Sequence, residues 1–177
     1  MMMMSSTATT FLAIRAAHVL VAALWIGATV FASTLLMPAI DASGPTGGQL
    51  MQRLNRRGFH VYMAAISMTT LASGLYLFWH FTGGFDLSVS TSHAGVVFGL
   101  GGMAGLFAGI IGGGVVGRSG KQLEQLMTTT ITIADDQNHR ALLGRIAALK
   151  NRMRIGTRVV VSLQTVALVC MAVGHYV

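Results

Sequence analysis

Residues 16–40 read AAHVLVAALWIGATVFASTLLMPAI, a run of 25 residues without Asp, Glu, Lys or Arg. Three further uncharged stretches follow at 58–85, 87–117 and 159–177. A helix needs about 20 residues to cross a hydrocarbon core of ~30 Å, so each stretch is long enough to span a membrane. Only 10% of all residues are charged and 53% are hydrophobic. We therefore predict an all-α integral membrane four-helix bundle, with residues 1–177 forming one domain.

The four predicted spans cover approximately residues 11–38, 58–82, 93–117 and 157–177. The first ten residues contain no basic residue, and the apolar run after them exceeds the length of a signal-peptide core. We therefore expect the first span to be retained rather than cleaved. The stretch Asp41–Gly48 is rich in Gly, Ser and Pro, which predicts a loop after span one.

The connection between spans three and four has two predicted parts. Lys121–Met127 is expected to extend helix three, and Asp135 and Asp136 offer an N-cap for a second helix. This second helix is amphipathic and basic and runs into span four, so it either lies against anionic headgroups or presents a solvated charged face. Its apolar positions are Leu142, Leu143, Ile146 and Leu149, and the basic residues roughly opposite are Arg140, Arg145 and Arg152.

The basic residues indicate the orientation of the chain. The net charge is +7, and eleven of the twelve basic residues fall in 41–57 and 118–158, which four spans place on one side. Only Arg15 lies on the other side. Because Lys and Arg near spans are retained in the cytoplasm, both termini are predicted to be external. We expect a multi-pass protein of the cytoplasmic (inner) membrane of a bacterium. Its expected partner is the lipid bilayer, and we expect no binding to nucleic acid.

Span three is rich in glycine at a regular spacing. Small residues at every fourth position form a groove in which another helix backbone can pack. The partner can be another span, a second copy in a homo-oligomer or a different subunit. Cys170 has no second cysteine to pair with, and we expect it to pack as a small apolar residue. The spaced glycines are Gly101, Gly105, Gly109, Gly113 and Gly117, preceded by Gly95 and Gly99.

Four histidines, one from each span, are predicted to gather in the external leaflet. Ionisable groups inside a membrane helix are costly, so each is a candidate functional residue. His18 lies about two turns inside an apolar segment and is the strongest candidate, with Arg15 one turn outward and Trp25 on its face. The other three lie near span ends, where a histidine can also simply face headgroups and water. They are His80, His93 and His175; Met171 lies one turn before His175, and His60 lies at the opposite end.

Imidazoles from facing helices suit haem iron, copper or zinc. Arg15 is placed to meet a haem propionate, and Trp25 offers an aromatic wall. These features favour haem b, with His18 and His93 as the preferred axial pair and His80 and His175 as alternates or as ligands of a second site. Copper is the alternative, held by the same histidines and Met171. The sequence has no Walker loop, GxSxG or HExxH motif, and no catalytic residue is assigned.

The segment His18-Val-Leu-Val-Ala-Ala-Leu-Trp-Ile-Gly27 resembles the first span of the CopD copper-resistance family and of HemJ-type protoporphyrinogen oxidases. Arg56-Arg57-Gly58-Phe59, Leu71-Ala-Ser-Gly-Leu-Tyr-Leu77 and Ser92-His93 also resemble CopD-like motifs. The HemJ resemblance implies that His18 binds haem. HemJ proteins usually carry Lys two residues after a third-span His, and Gly95 at that position argues against protoporphyrinogen oxidation. The CopD resemblance implies periplasmic copper uptake.

These observations favour a membrane protein that binds haem b and transfers electrons to or from a quinol or a periplasmic redox protein. A CopD-like copper-binding or copper-transport protein is the first alternative. The second is a non-catalytic accessory subunit whose glycine-rich third span docks onto a larger membrane complex.

Overall fold

The computed structural model describes the backbone of residues 2–129 and 136–177 and the side chains of residues 8–44, 46–126 and 140–177. The described backbone is helical apart from short turns and contains no strand. The predicted all-α fold is therefore confirmed for this part of the chain.

Within these ranges the helices follow one another with short connections. Two π-helical turns, Ala32–Leu36 and Gly112–Gly117, join successive helices without a break. The helices are α1 Met2–Phe31, α2 Met37–Ala42, α3 Gly44–Arg56, α4 Phe59–Phe81, α5 Leu87–Ser90, α6 His93–Ile111, α7 Arg118–Thr129 and α8 Asp136–Val173.

Four helical segments of the described chain are long and apolar enough to cross a membrane: Ala8–Ala42, Phe59–Phe81, His93–Leu126 and Arg140–Val173. They correspond to the four predicted spans, so the chain is a multi-pass membrane protein by length and hydropathy. The first, third and fourth segments are longer than the predicted spans, because their helices continue beyond the apolar stretch. The fourth segment also ends before the predicted residue 177, since α8 stops at Val173.

Each π-helical turn has a local cause in the sequence. Pro38 follows the first turn, and its ring would clash with the carbonyl oxygen of Thr34 in a regular α-helix. The wider turn at Ala32–Leu36 accommodates this proline. The second turn begins with three consecutive glycines, Gly112, Gly113 and Gly114, which weaken the α-helical preference.

The predicted loop at Asp41–Gly48 is wrong, because α2 and α3 are separated by Ser43 alone. Gly44 adopts a φ of +57°, which allows the chain to turn within one residue. Pro45 follows in the first turn of α3, where no backbone N–H is needed. A Cβ at Gly47 would lie 1.9 Å from the carbonyl oxygen of Ile40, so α2 and α3 approach closely.

The connection between α4 and α6 is short and is closed by side-chain caps. The Thr82 hydroxyl donates to the carbonyl of Phe78 and accepts from the backbone N–H of Phe85. The Asp86 carboxylate accepts from the Ser88 hydroxyl and from two backbone N–H groups at the start of α5. The hydroxyl and these N–H groups lower the pKa of the Asp86 carboxyl. This turn fixes where α6 begins and therefore positions His93.

The predicted extension of helix three is confirmed, since α7 continues α6 to Thr129. The predicted N-cap at Asp135 lies outside the described residues. Helix α8 begins at Asp136, runs without interruption into span four and packs against α7. In this first half of α8, Leu142 is buried while Leu143 is exposed. Contact of this helix with headgroups stays a prediction.

The spans form a ring in which α1 packs against α4, α4 against α6, α6 against α8, and α8 against α1. Each span contributes one residue to a buried layer at the centre of the ring. The outer faces are apolar and exposed, as a lipid-facing surface requires; Val19 is 58% and Met68 64% exposed. The central layer consists of Trp25, Ile66, Ala108 and Val160.

The two ends of the bundle differ in composition. At one end Lys150 and Asp41 form an ion pair of 2.7 Å, and Asn55 donates to Glu124. We call this the basic end, because all eleven basic residues of the two connections lie here and all are exposed. At the opposite end, which we call the terminal end, Arg15 contacts His175 near the C-terminus.

The spaced glycines of α6 mainly contact other spans of the same chain. A Cβ at Gly101 would lie 2.9 Å from Cβ of Cys170 on α8, and one at Gly109 would lie 2.9 Å from Cδ1 of Leu71 on α4. Gly113 has nothing within 4 Å of a built Cβ. The sequence allowed another span, a second copy or a different subunit as the partner of these glycines. At Gly101 and Gly109 the partner is another span of the same chain.

Candidate functional site

His18 lies at the interface between α1 and α4, on the terminal side of the central layer. Its Nδ1 atom is 2.9 Å from the hydroxyl oxygen of Ser73 on α4. The Ser73 hydroxyl donates to the backbone carbonyls of Thr69 at 2.6 Å and Thr70 at 3.1 Å, so its hydrogen is already used. The oxygen of Ser73 therefore accepts a hydrogen bond from Nδ1–H of His18.

This hydrogen bond selects one tautomer of the imidazole. With the proton on Nδ1, the Nε2 atom of His18 carries a lone pair. The backbone of Thr70 on α4 also hydrogen-bonds to the His18 ring, and no side chain of the described residues is hydrogen-bonded to Nε2. Metal-binding histidines are commonly held in this way, with one ring nitrogen hydrogen-bonded to the protein and the other left to the metal.

Gly74 makes room for the ring of His18. A Cβ at Gly74 would lie 3.0 Å from Cε1, 3.6 Å from Nδ1 and 3.8 Å from Nε2 of the imidazole. The ring therefore packs directly on the backbone of α4, and a side chain at Gly74 would displace it. Ser73 and Gly74 together fix both the rotation and the depth of His18.

Arg15 lies one turn from His18 toward the terminal end and contacts the final residues of the chain. Its Nη2 atom is 2.5 Å from Nε2 of His175, and because a guanidinium only donates, Nε2 of His175 is the acceptor. The His175 ring also packs edge-on against Phe98, with centroids 5.2 Å apart. The Nε2 lone pair of His175 and the guanidinium of Arg15 are therefore already hydrogen-bonded to each other.

The other two candidate histidines have different surroundings. His80 stacks on Phe11 with centroids 4.7 Å apart and lies near Tyr76 at 6.3 Å. His93 is exposed at the first position of α6 and has no hydrogen bond or ring contact from its side chain within the described part of the chain. No contact joins His18 to His93 there, so their role as an axial pair stays a prediction.

Trp25 and Met171 lie apart from these histidines. Trp25 is 6% exposed and packs in the central layer, where its Cη2 atom approaches Gly109. Met171 is half-buried beside Cys170, and its Cε atom would lie 3.3 Å from a Cβ at Gly101. Cys170 therefore packs closely against α6.

The described residues contain no group of three or more His, Cys, Asp and Glu side chains that could share a metal ion. The arrangement therefore offers a single oriented imidazole rather than a cage of ligands. Such a nitrogen can serve as an axial ligand of a planar metal cofactor, whose remaining ligands come from the cofactor itself.

Sequence reasoning assigned no role to Ser73 and Gly74 or to a buried pair deeper in the bundle. Gln164 is 1% exposed, and its Nε2 donates to the Thr29 hydroxyl at 3.3 Å, while its Oε1 has no partner among the described residues. The signal available for Ser73-Gly74 was a small polar pair inside an apolar span. That signal does not specify which helix the serine faces.

The chain matches no protein-family model, no curated protein and no solved structure. The resemblance to CopD and HemJ-type proteins therefore rests on the short motifs alone.

Proposed function

We propose that the chain binds haem b at the terminal end, with Nε2 of His18 as an axial ligand, and transfers electrons to or from a quinol or a redox protein. The observation that carries this proposal is the hydrogen bond between Nδ1 of His18 and Ser73, which leaves the lone pair on Nε2 when Nδ1 carries the proton. Haem supplies one-electron chemistry when it is bound.

The donor set fits haem better than a metal held by protein ligands alone. A copper or zinc ion needs two to four protein donors around it, whereas the porphyrin supplies four of the ligands of haem iron. One oriented histidine is then sufficient for attachment, and a second completes the axial pair. His93 is the preferred second ligand, because its ring has no other partner in the described chain.

Four residues of the chain have distinct tasks in this proposal. Ser73 holds the proton on Nδ1 of His18, and Gly74 lets the ring lie close to α4. Arg15 would pair with a propionate at the membrane surface, which requires it to exchange its present contact with His175. Trp25 excludes water from the central layer below the site, since it is buried in the core.

We further propose that the basic end faces the cytoplasm and the terminal end faces the periplasm of a bacterial inner membrane. The support is the asymmetry of eleven basic residues against Arg15 alone. The proposed haem would then lie near the periplasmic face, within reach of a quinol in the outer leaflet or of a periplasmic partner.

An absorption spectrum of the detergent-purified protein, combined with metal analysis, tests the proposal. We expect a Soret band that shifts on reduction and one iron atom per bound haem. Copper in a fixed ratio to protein without a Soret band would support the CopD-like alternative. Protein with neither metal would contradict both and favour an accessory subunit.

A further inference from the structure

Helix α3 is a short amphipathic helix whose C-terminal end is basic. Its last turn and cap carry Arg53, Arg56 and Arg57, and all three side chains are exposed. The sequence has no acidic residue between Asp41 and Asp86, so α3 contains no acidic residue of its own. The helix therefore presents three positive charges within one turn.

These arginines surround an apolar groove. The groove has a volume of about 390 Å³ and is lined by Leu50 and Leu54 together with the three arginines. Leu50 is 46% exposed, so it adds apolar surface beside the arginines. An apolar surface beside positive charges is complementary to a molecule with an anionic head and an alkyl chain.

None of the three arginines forms an ion pair within the described part of the chain. The acidic side chain that contacts α3 is Glu124, which accepts a hydrogen bond from Asn55 in the last turn of α3. The ion pair at this end joins Lys150 to Asp41 and does not involve α3. The positive charges of Arg53, Arg56 and Arg57 are therefore left for an outside anion.

The position of α3 relative to the membrane is set by α4. Helix α4 begins at Phe59 and has 23 residues, which at about 1.5 Å per residue is just enough to cross ~30 Å of hydrocarbon. Only Arg57 and Gly58 separate α3 from α4, and Gly58 adopts a φ of +84° that allows a sharp change of direction. The last turn of α3 therefore lies at the level of the lipid headgroups.

We propose that the groove on α3 binds an anionic phospholipid, with its phosphate between Arg53, Arg56 and Arg57 and an acyl chain against Leu50 and Leu54. Guanidinium groups bind phosphate oxygens through paired hydrogen bonds. This inference depends on the membrane topology alone and is independent of the haem proposal.

The test uses the full-length protein reconstituted into phosphatidylcholine vesicles with spin-labelled lipid probes. The measured quantity is the preference of the protein for labelled phosphatidylglycerol over labelled phosphatidylcholine. We expect R53Q to lower this preference about fivefold, and R53Q/R56Q/R57Q to abolish it. A matched control, R140Q/R145Q/R152Q, removes the same charge from exposed positions of α8 and should lower the preference less than R53Q/R56Q/R57Q does.

Two results would overturn the proposal. The first is an equal loss of preference in the α8 control, because the effect would then come from the total charge of the basic end. The second is displacement of the labelled phosphatidylglycerol by inorganic phosphate, because a free phosphate would then be the ligand. L50N separates these cases further, since it should weaken binding of the phospholipid and leave binding of inorganic phosphate unchanged.

Discussion

At the scale of single residues, the structure explains how a histidine is held inside an apolar helix. An unpaired imidazole in hydrocarbon would cost roughly 1–3 kcal/mol on mutational scales. Ser73 offsets this cost by accepting from Nδ1, and the hydroxyl of Ser73 is in turn oriented by the carbonyls of α4. Nε2 of His18 has no side-chain partner among the described residues, and this atom defines the candidate site.

The first prediction concerns Ser73. Ser73→Ala removes the acceptor for Nδ1–H, so the His18 ring loses its fixed tautomer and orientation. We expect a tenfold to hundredfold weaker retention of the cofactor, the range found for such supporting groups. Haem content after dialysis against apomyoglobin measures this retention.

Ser67→Ala is the matched control for this experiment, because Ser67 lies on the same helix and donates only to the carbonyl of Ala64. Ser73→Thr keeps the hydroxyl and should restore much of the retention. Equal retention in Ser73→Ala and Ser67→Ala would show that the hydrogen bond does not orient a ligand.

At the scale of elements, the glycines of α6 determine how closely the spans pack. Gly101 lies against α8 and Gly109 against α4, so two faces of one helix are fitted to two neighbours. Membrane helices gain van der Waals contact in this way when small residues allow a close approach.

The second prediction follows from these distances. Gly101→Ala would place a methyl group 2.9 Å from Cβ of Cys170, and Gly109→Leu would collide with Leu71. We expect each to lower the stability of the bundle by about 1–3 kcal/mol, as for other overpacked cores. Thermal unfolding in detergent, followed by size-exclusion chromatography, measures the effect.

Gly102→Ala is the matched control, since nothing lies within 4 Å of a Cβ built there. Leu106→Ala is a second control, because Leu106 is 42% exposed on the lipid-facing side. Similar melting temperatures for Gly101→Ala and Gly102→Ala would show that α6 and α8 do not pack as described.

The helices could be predicted from the sequence wherever charge and hydropathy change abruptly. The uncharged stretches located all four spans, and the run from Lys121 onward was recognised as a continuation of helix three. The prediction failed at Asp41–Gly48, because glycine and proline are compatible with a loop and equally with a one-residue turn between two helices. Hydropathy does not distinguish a loop from such a turn. The close approach of Gly47 to Ile40 shows how α2 and α3 are placed.

At the scale of the whole molecule, the bundle has two chemically different ends. The described contacts place the two basic connections together and bring the C-terminal residues to the start of span one. The sequence predicted this grouping from the number of spans. It also predicted four histidines at one end, but it could not specify their separate partners, which depend on how each helix is rotated.

The third prediction concerns the orientation of these ends in the membrane. Ser43 at the basic end and Thr91 at the terminal end are both exposed. In a Cys170→Ala background, a membrane-impermeant thiol reagent added to intact cells should modify Thr91→Cys and leave Ser43→Cys unmodified. Modification of Ser43→Cys from outside would reverse the proposed topology and place the histidines on the cytoplasmic side.

The measurement that tests the central claim most directly is the ratio of haem to protein in purified His18→Ala and His60→Ala. His60 lies at the start of α4 at the basic end and is exposed, so its loss leaves the His18 site intact. The account predicts that His18→Ala loses haem while His60→Ala retains the wild-type ratio. Full haem occupancy in His18→Ala would contradict the account.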